Sequence, residues 1–224
     1  MKKIYLIAIL LLLIPLASFA GTPQYSGGGI VNNSSTVDFG ARSITNGTFV
    51  DSVFIPIEWA LNGTTAPEVA SVITSTYSVV VRNFASNQTE DVNFTWQVPS
   101  DFTGTTIKFQ VVGYITNATG PAATEGVSFF LQGASIGTGD ALGATLGDAV
   151  ESANADLHAA GAATQYDIFY TALSDAVTVT NITAGETVVF KAYRKHDDTD
   201  DDYLQDVGAA GIVIKYQRLL SDTL

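Results

Sequence analysis

Val92-Asn93-Phe94-Thr95-Trp96-Gln97-Val98 alternates large apolar and polar residues without a break. Successive side chains of an extended chain point to opposite faces, so Val92, Phe94, Trp96 and Val98 form one apolar face. Outward from this stretch, short runs rich in β-branched and aromatic residues recur at 49–59, 77–84, 106–115, 127–136, 167–172, 176–179, 187–194 and 211–217. Between them lie Asn62-Gly63, the run 99–104, Thr119-Gly120-Pro121 and Ala184-Gly185, whose glycines and prolines permit or impose turn dihedrals. Eight or nine strands with turns between them predict an all-β fold, an antiparallel β-sandwich of jelly-roll type. One helical exception is expected. From about 140 to 160 Ala, Leu and acidic residues dominate, which predicts at most one short helix, weakened by Gly143 and Gly147. No repeat of fixed period points to a solenoid or propeller.

The chain opens on Met1, Lys2 and Lys3, then an uncharged apolar run over 4–16, then Ser18-Phe19-Ala20. A positive start, an apolar stretch too short to span a bilayer comfortably and small residues at the end read as a signal peptide over 1–20, cut after Ala20. The expected location is secreted, at the cell surface or periplasmic. Residues 21–47 are rich in Gly, Ser, Asn and Thr, a composition that cannot bury enough surface to offset its ordering entropy, and are expected to form a flexible N-terminal arm. Within that arm Val37 and Phe39 alternate as a strand added to a neighbour's open edge would, so self-association through β-edges is expected. The alternative is a plain tether. Residues 48–224 are expected to form a single β-sandwich domain.

The formal net charge is −12, and loss of Lys2 and Lys3 with the leader would bring it to −14. Such a surface repels nucleic acid and anionic lipid. There is no cysteine, so stability must come from burial. No stretch beyond the leader is long enough to span a membrane. Eight N-x-S/T triplets begin at Asn32, Asn33, Asn46, Asn62, Asn87, Asn93, Asn117 and Asn181. They matter only where a host glycosylates them, and a Thr/Asn-rich chain generates them freely.

Six carboxylates fall between Asp197 and Asp206. Asp198, Asp200 and Asp202 stand at the first, third and fifth positions of a calcium loop, with Asp206 as a further ligand. Tyr203 and Ala209 occupy the places where an EF-hand needs glycine and glutamate, so the expectation is an acidic turn that either binds calcium or is simply solvated. Gly133-Ala134-Ser135-Ile136-Gly137 matches the nucleophile-elbow pattern, and Asp148 or Asp156 with His158 or His196 would supply a triad order. A chain without alternating helices does not build the parallel sheet that such an elbow needs, and the bland reading is a strand-ending turn. The two histidines lack zinc-site spacing. Glu58 and Glu125 are the least implausible acids for a glycosidase pair, which is a geometric property that linear order does not reveal. Trp59, Trp96, Tyr77, Tyr114, Tyr166 and Tyr170 would form a sugar-stacking platform if several emerged on one face. Trp96 reads as core, and Trp59 is the better exposed ligand candidate.

Three further segments carry a resemblance. They are the run 94–104, the run 136–142, and the run 190–198 continuing through Asp202-Tyr203 to 211–216. In this order the chain over 49–217 resembles the β-rich, jelly-roll modules found among structural proteins of tailed phages and related environmental sequences. The resemblance implies a structural or attachment role in a particle or fibre. The leader is a departure from it, because virion proteins assemble in the cytoplasm. The expected function is thus an exported, non-catalytic structural or attachment module of an extracellular or particle surface, with a carbohydrate-binding module as the alternative and a secreted hydrolase third. Calcium is the only cofactor expected, and polysaccharide is the expected ligand class of the alternative.

Overall fold

The computed structural model describes residues 47–219 except 75, 77, 142, 155 and 159–163. The leader, the arm up to residue 46 with Val37 and Phe39, and Tyr77 lie outside the described residues.

Among the described residues twelve strands follow one another: β1 (Thr48–Pro56), β2 (Leu61–Asn62), β3 (Glu68–Ile73), β4 (Ser78–Phe84), β5 (Glu90–Gln97), β6 (Phe102–Ile115), β7 (Val127–Ile136), β8 (Val150–Asn154), β9 (Ile168–Tyr170), β10 (Val177–Thr178), β11 (Thr187–Arg194) and β12 (Val207–Leu219). A 3-10 turn, Ile57–Trp59, separates β1 from β2. One sheet runs β3-β4-β12-β6-β10, with β1 also against β12 and β9 also against β6; the other runs β2-β5-β11-β7-β8. Count β4 to β8, then β9 with β10, then β11 and β12 as eight successive strands. The first, eighth, third and sixth then share one sheet, and the second, seventh, fourth and fifth the other. This is the jelly-roll order, and the ladders are antiparallel throughout.

The alternation that predicts the fold also builds its core. Val92, Phe94 and Trp96 face inward with Val188 and Phe190 of β11 and Leu131 of β7, against Ile107 and Phe109 of β6 and Ile212 and Ile214 of β12. Trp96 sits 4.9 Å from the Tyr216 ring and 6.3 Å from Phe102, so aromatic contacts join the two sheets. Each such side chain, fully buried, stabilises the fold by about 1.5–3 kcal/mol.

The helix expected over 140–160 does not form among the described residues there. Val150–Asn154 is instead the edge strand β8, paired with β7 from Val127 to Leu131. Gly143 adopts φ +114°, a left-handed conformation that ends any helix begun before it. The backbone of Gly147 then donates to the Gly133 carbonyl, which carries the chain along β7 rather than away from it. Among the described residues no helix is long and apolar enough to cross a membrane.

Candidate functional site

The outer face of the five-stranded sheet is the mirror of its core face. While Val92, Phe94, Val188, Phe190, Phe129 and Leu131 point inward, their neighbours along each strand must point out. Strand register aligns these outward residues in rows. Leu61 faces Asn93, Asn93 faces Lys191, and Lys191 faces Gln132. In the adjacent row Asp91 faces Tyr193, Tyr193 faces Phe130, and Phe130 faces Glu151.

Tyr193 and Phe130 stack at 5.3 Å between centroids with an interplanar angle of 13°. Lys191 lies 5.6 Å from the Tyr193 ring and Lys195 lies 5.8 Å from the Phe130 ring, so an ammonium attends each ring of the pair. Burial raises the Tyr193 phenol above its ordinary pKa, with Lys195 acting in the opposite sense, so at neutral pH it stays a hydrogen-bond donor. The result is a half-buried aromatic pair flanked by amides, carboxylates and ammonium groups.

Asp91 fixes one end of this row. Its carboxylate accepts the Thr64 N–H at 3.1 Å and the Thr65 N–H at 3.2 Å, and Lys191 approaches to 3.6 Å. These bonds hold the turn that follows β2. Just before it, Trp59 and Leu61 are 73% and 74% exposed while Ala60 between them is buried. Arg82, itself buried, donates from Nη2 to the Ala60 carbonyl at 2.8 Å and from Nη1 to Asn62 Oδ1 at 2.9 Å. The guanidinium therefore pins the residues on either side of Leu61 and presents Trp59 at the sheet edge.

The acidic turn reaches the other end of the row. Asp198, Asp200 and Glu151 each place a carboxylate oxygen within 4.8 Å of the others. Lys195 binds Asp198 at 3.3 Å and lies 3.9 Å from Asp197. Asp198 Oδ1 also accepts the Asp200 N–H, and Glu151 accepts from the Ser128 hydroxyl. The hydrogen bond to Asp198 is the first cause that raises the Lys195 pKa. Of the four metal candidates, Asp198 and Asp200 are thus brought together. Asp202 instead accepts the Gly126 N–H at 2.6 Å, and Asp206 accepts the Ser86 N–H at 3.0 Å. Glu151 joins through strand register, which linear spacing does not display.

The remaining candidates have other partners. Ser135 lies buried within β7 and its hydroxyl donates to Glu186 Oε2 at 2.9 Å, so the pentapeptide around it is strand rather than elbow. The His158 N–H donates to Asp156 Oδ1, His196 Nδ1 meets the Thr89 hydroxyl at 3.2 Å, and Asp148 is exposed. Glu58 is exposed on the 3-10 turn, and Glu125 accepts the Ala122 N–H in the connection from β6 to β7. Trp96 is core, as expected. Tyr114 and Tyr170 belong to the other sheet, and Tyr166 lies in the connection leading to β9.

No protein-family model matches the chain, and no curated protein matches it. Among solved structures it is similar to the C-terminal CBM6 of LamC, a marine laminarinase from Zobellia galactanivorans. That similarity has 11% identity and a TM-score of 0.34 over 73% of this chain and 98% of that one. It is also similar to a family 11 carbohydrate-binding module from Clostridium thermocellum in complex with a β-1,3-1,4-mixed-linked tetrasaccharide. There the identity is 8% and the TM-score 0.30, over 87% of this chain and 96% of that one.

Proposed function

We propose that this chain is a non-catalytic attachment module that holds polysaccharide on the outer face of its five-stranded sheet. The observation that supports the reading is the row Asp91–Tyr193–Phe130–Glu151 beside the row Leu61–Asn93–Lys191–Gln132. A pyranose ring offers an apolar CH face and a rim of hydroxyls. The rings of the stacked pair face each other and each carries an ammonium over it, so their edges receive the first, and carboxylate, amide and ammonium groups receive the second. Leu61 offers a separate apolar contact at the sheet edge, across β5 from the aromatic pair, and the exposed Trp59 lies two residues before it.

Co-sedimentation with a panel of insoluble polysaccharides tests this. The chain should be retained on at least one of them, and Tyr193→Ala should weaken retention by about tenfold, the loss of roughly 1.4 kcal/mol. Full recovery in the supernatant across glucans, xylan and chitin would remove the proposal.

A second reading, a building block that self-associates through its edges, draws on β3. This edge strand leaves Val69 and Ile73 58% and 62% exposed, and its outer backbone groups are a template for another strand. Concentration-dependent mass in sedimentation would support it. Export by the leader, and the phage-like structural role that the resemblance implies, belong with this proposal. Calcium stays a proposal for Asp198, Asp200 and Glu151, since Asp202 and Asp206 already bind backbone donors. Its check is a rise in melting temperature with calcium that chelator reverses.

A further inference from the structure

On the opposite side of the sandwich, the outer face of the seven-stranded sheet carries a different chemistry. Lys108 on β6 and Lys215 on β12 are direct cross-strand partners. Ile107, Phe109, Ile214 and Tyr216 around them are buried, so both lysines point outward. Like charges directly opposite in a ladder oppose its pairing. Among the described residues neither ammonium has a carboxylate within 4.0 Å, whereas Lys191 and Lys195 have one at 3.6 and 3.3 Å. An uncompensated cation pair is out of keeping with a chain of net charge −12. The two lysines line one cavity of about 300 Å³, together with Thr106, Gln217 and the exposed apolar side chains of Val50 and Leu173.

We infer that this pocket binds an acidic sugar unit through its oxyanion, the carboxylate of a uronate or a sulfate ester. Cross-strand Cβ atoms lie about 5 Å apart, so two long ammonium side chains converge on a single anion without strain. Val50 and Leu173 receive the CH face of the ring, and Thr106 and Gln217 offer donors and acceptors to its hydroxyls. The cavity is at the lower end of small-molecule sites, which fits one ring or two rather than a folded partner. The bound anion removes the repulsion between the lysines, so occupancy and sheet stability rise together. The inference concerns a separate face and stands or falls independently of the polysaccharide surface.

Amide NMR titration of the full chain at constant ionic strength tests it, with glucuronate, glucose 6-sulfate and glucose as probes. Glucuronate or glucose 6-sulfate should shift the amides of Val50, Thr106, Lys108, Lys215 and Gln217 saturably, and the comparison of the two identifies the anion. Glucose should bind about tenfold more weakly or not at all. Lys108→Gln and Lys215→Gln should each weaken the charged probe about tenfold while melting no lower than the parent, because each removes the repulsion. Equal responses to glucose and glucuronate, or variants that bind glucuronate as the parent does, would overturn the inference. So would a concentration-dependent mass abolished by both substitutions in a chain that binds no sugar, because a second copy would then be the occupant.

Discussion

Arg194 and Asp201 form an ion pair with almost no solvent on either side chain. Arg194 Nη2 meets Asp201 Oδ1 at 2.6 Å and Nε meets Oδ2 at 2.8 Å, with side-chain exposures of 0% and 1%. The same guanidinium donates to the carbonyls of Phe84, Tyr203 and Gln205, and Asp201 also accepts the Ser128 N–H. Charged groups that deep are tolerated only when every donor and acceptor is matched. The pair therefore fastens the acidic turn to the sandwich.

Removing one member leaves the other buried and uncompensated. Arg194→Met or Asp201→Asn should destabilise the fold by about 3–5 kcal/mol, a drop of about 6–20 °C in melting temperature for a domain of this size. Thermal unfolding followed by circular dichroism measures it. A drop below 2 °C for both variants would mean that water reaches the pair.

The chain has two tryptophans in opposite environments, Trp59 at 73% exposure and Trp96 at 7% within the aromatic core. Emission should therefore resolve into a red, acrylamide-quenchable component and a blue, protected one. Trp59→Phe should remove the first and leave the second, with a stability change within about 0.5 kcal/mol. Arg82→Met releases the Ala60 carbonyl and the Asn62 side chain, and it should alter the Trp59 component while Trp96 keeps its protection. Equal quenching of both components in the parent chain would contradict this arrangement.

Every run expected to be extended overlaps a strand, although 57–59 is a 3-10 turn, and two, 127–136 and 187–194, match β7 and β11 to the residue. These segments carry their own signal, because half of each faces the core and the apolar pattern declares it. β2, β3 and β8 carry no such signal for the converse reason. They are edge strands whose neighbours' hydrogen bonds, rather than buried side chains of their own, hold them: Val72 in β3 and Ser152 in β8 are the buried residues. The aromatic pair and its neighbours are equally hidden in linear order. Tyr193 meets Phe130, and Glu151 meets Asp198, only through register across β11, β7 and β8. The acidic turn was legible as a concentration of charge but not as a division of labour. Asp201 pairs with Arg194, Asp202 holds Gly126 and Asp206 holds Ser86, and those partners lie far along the chain or beneath the surface.

Arg218 supplies a pH signature. It donates from Nε to Asp101 at 2.8 Å and from Nη1 to Asp51 at 2.8 Å, tying β12 to β1 and to the turn before β6. These hydrogen bonds hold both carboxyls below their ordinary value of 3.8. A carboxyl with a lowered folded pKa stabilises the fold above its unfolded pKa and loses that contribution as pH falls through the folded value. The groups are partly exposed, so the contribution is about 1 kcal/mol or less. Melting curves of the parent and Arg218→Met should differ by a constant amount between about pH 7 and pH 5, with the gap closing below about pH 4. A gap that widens in acid would show that other groups set the stability there.

Gly63 is required by a close approach rather than by its dihedrals. A Cβ there would strike the Asp91 carboxylate and would lie 2.6 Å from the Asp91 carbonyl oxygen, the same oxygen that accepts the Gly63 N–H at 3.0 Å. Gly63→Ala must therefore either push β2 away from β5 or displace Asp91 from Thr64 and Thr65. The expected loss is about 1–3 kcal/mol, the range for steric overpacking. Trimming the side chain in Asp91→Ala removes only the carboxylate contact, so Gly63→Ala should remain destabilising in that background. A double-mutant cycle by chemical denaturation separates the two parts. If Gly63→Ala costs nothing once Asp91 is alanine, the carboxylate alone sets the constraint and the backbone approach of β2 to β5 has slack. If the cost persists, the β2 edge is held at backbone distance, and polysaccharide retention should fall with it, because that edge presents Trp59 and Leu61.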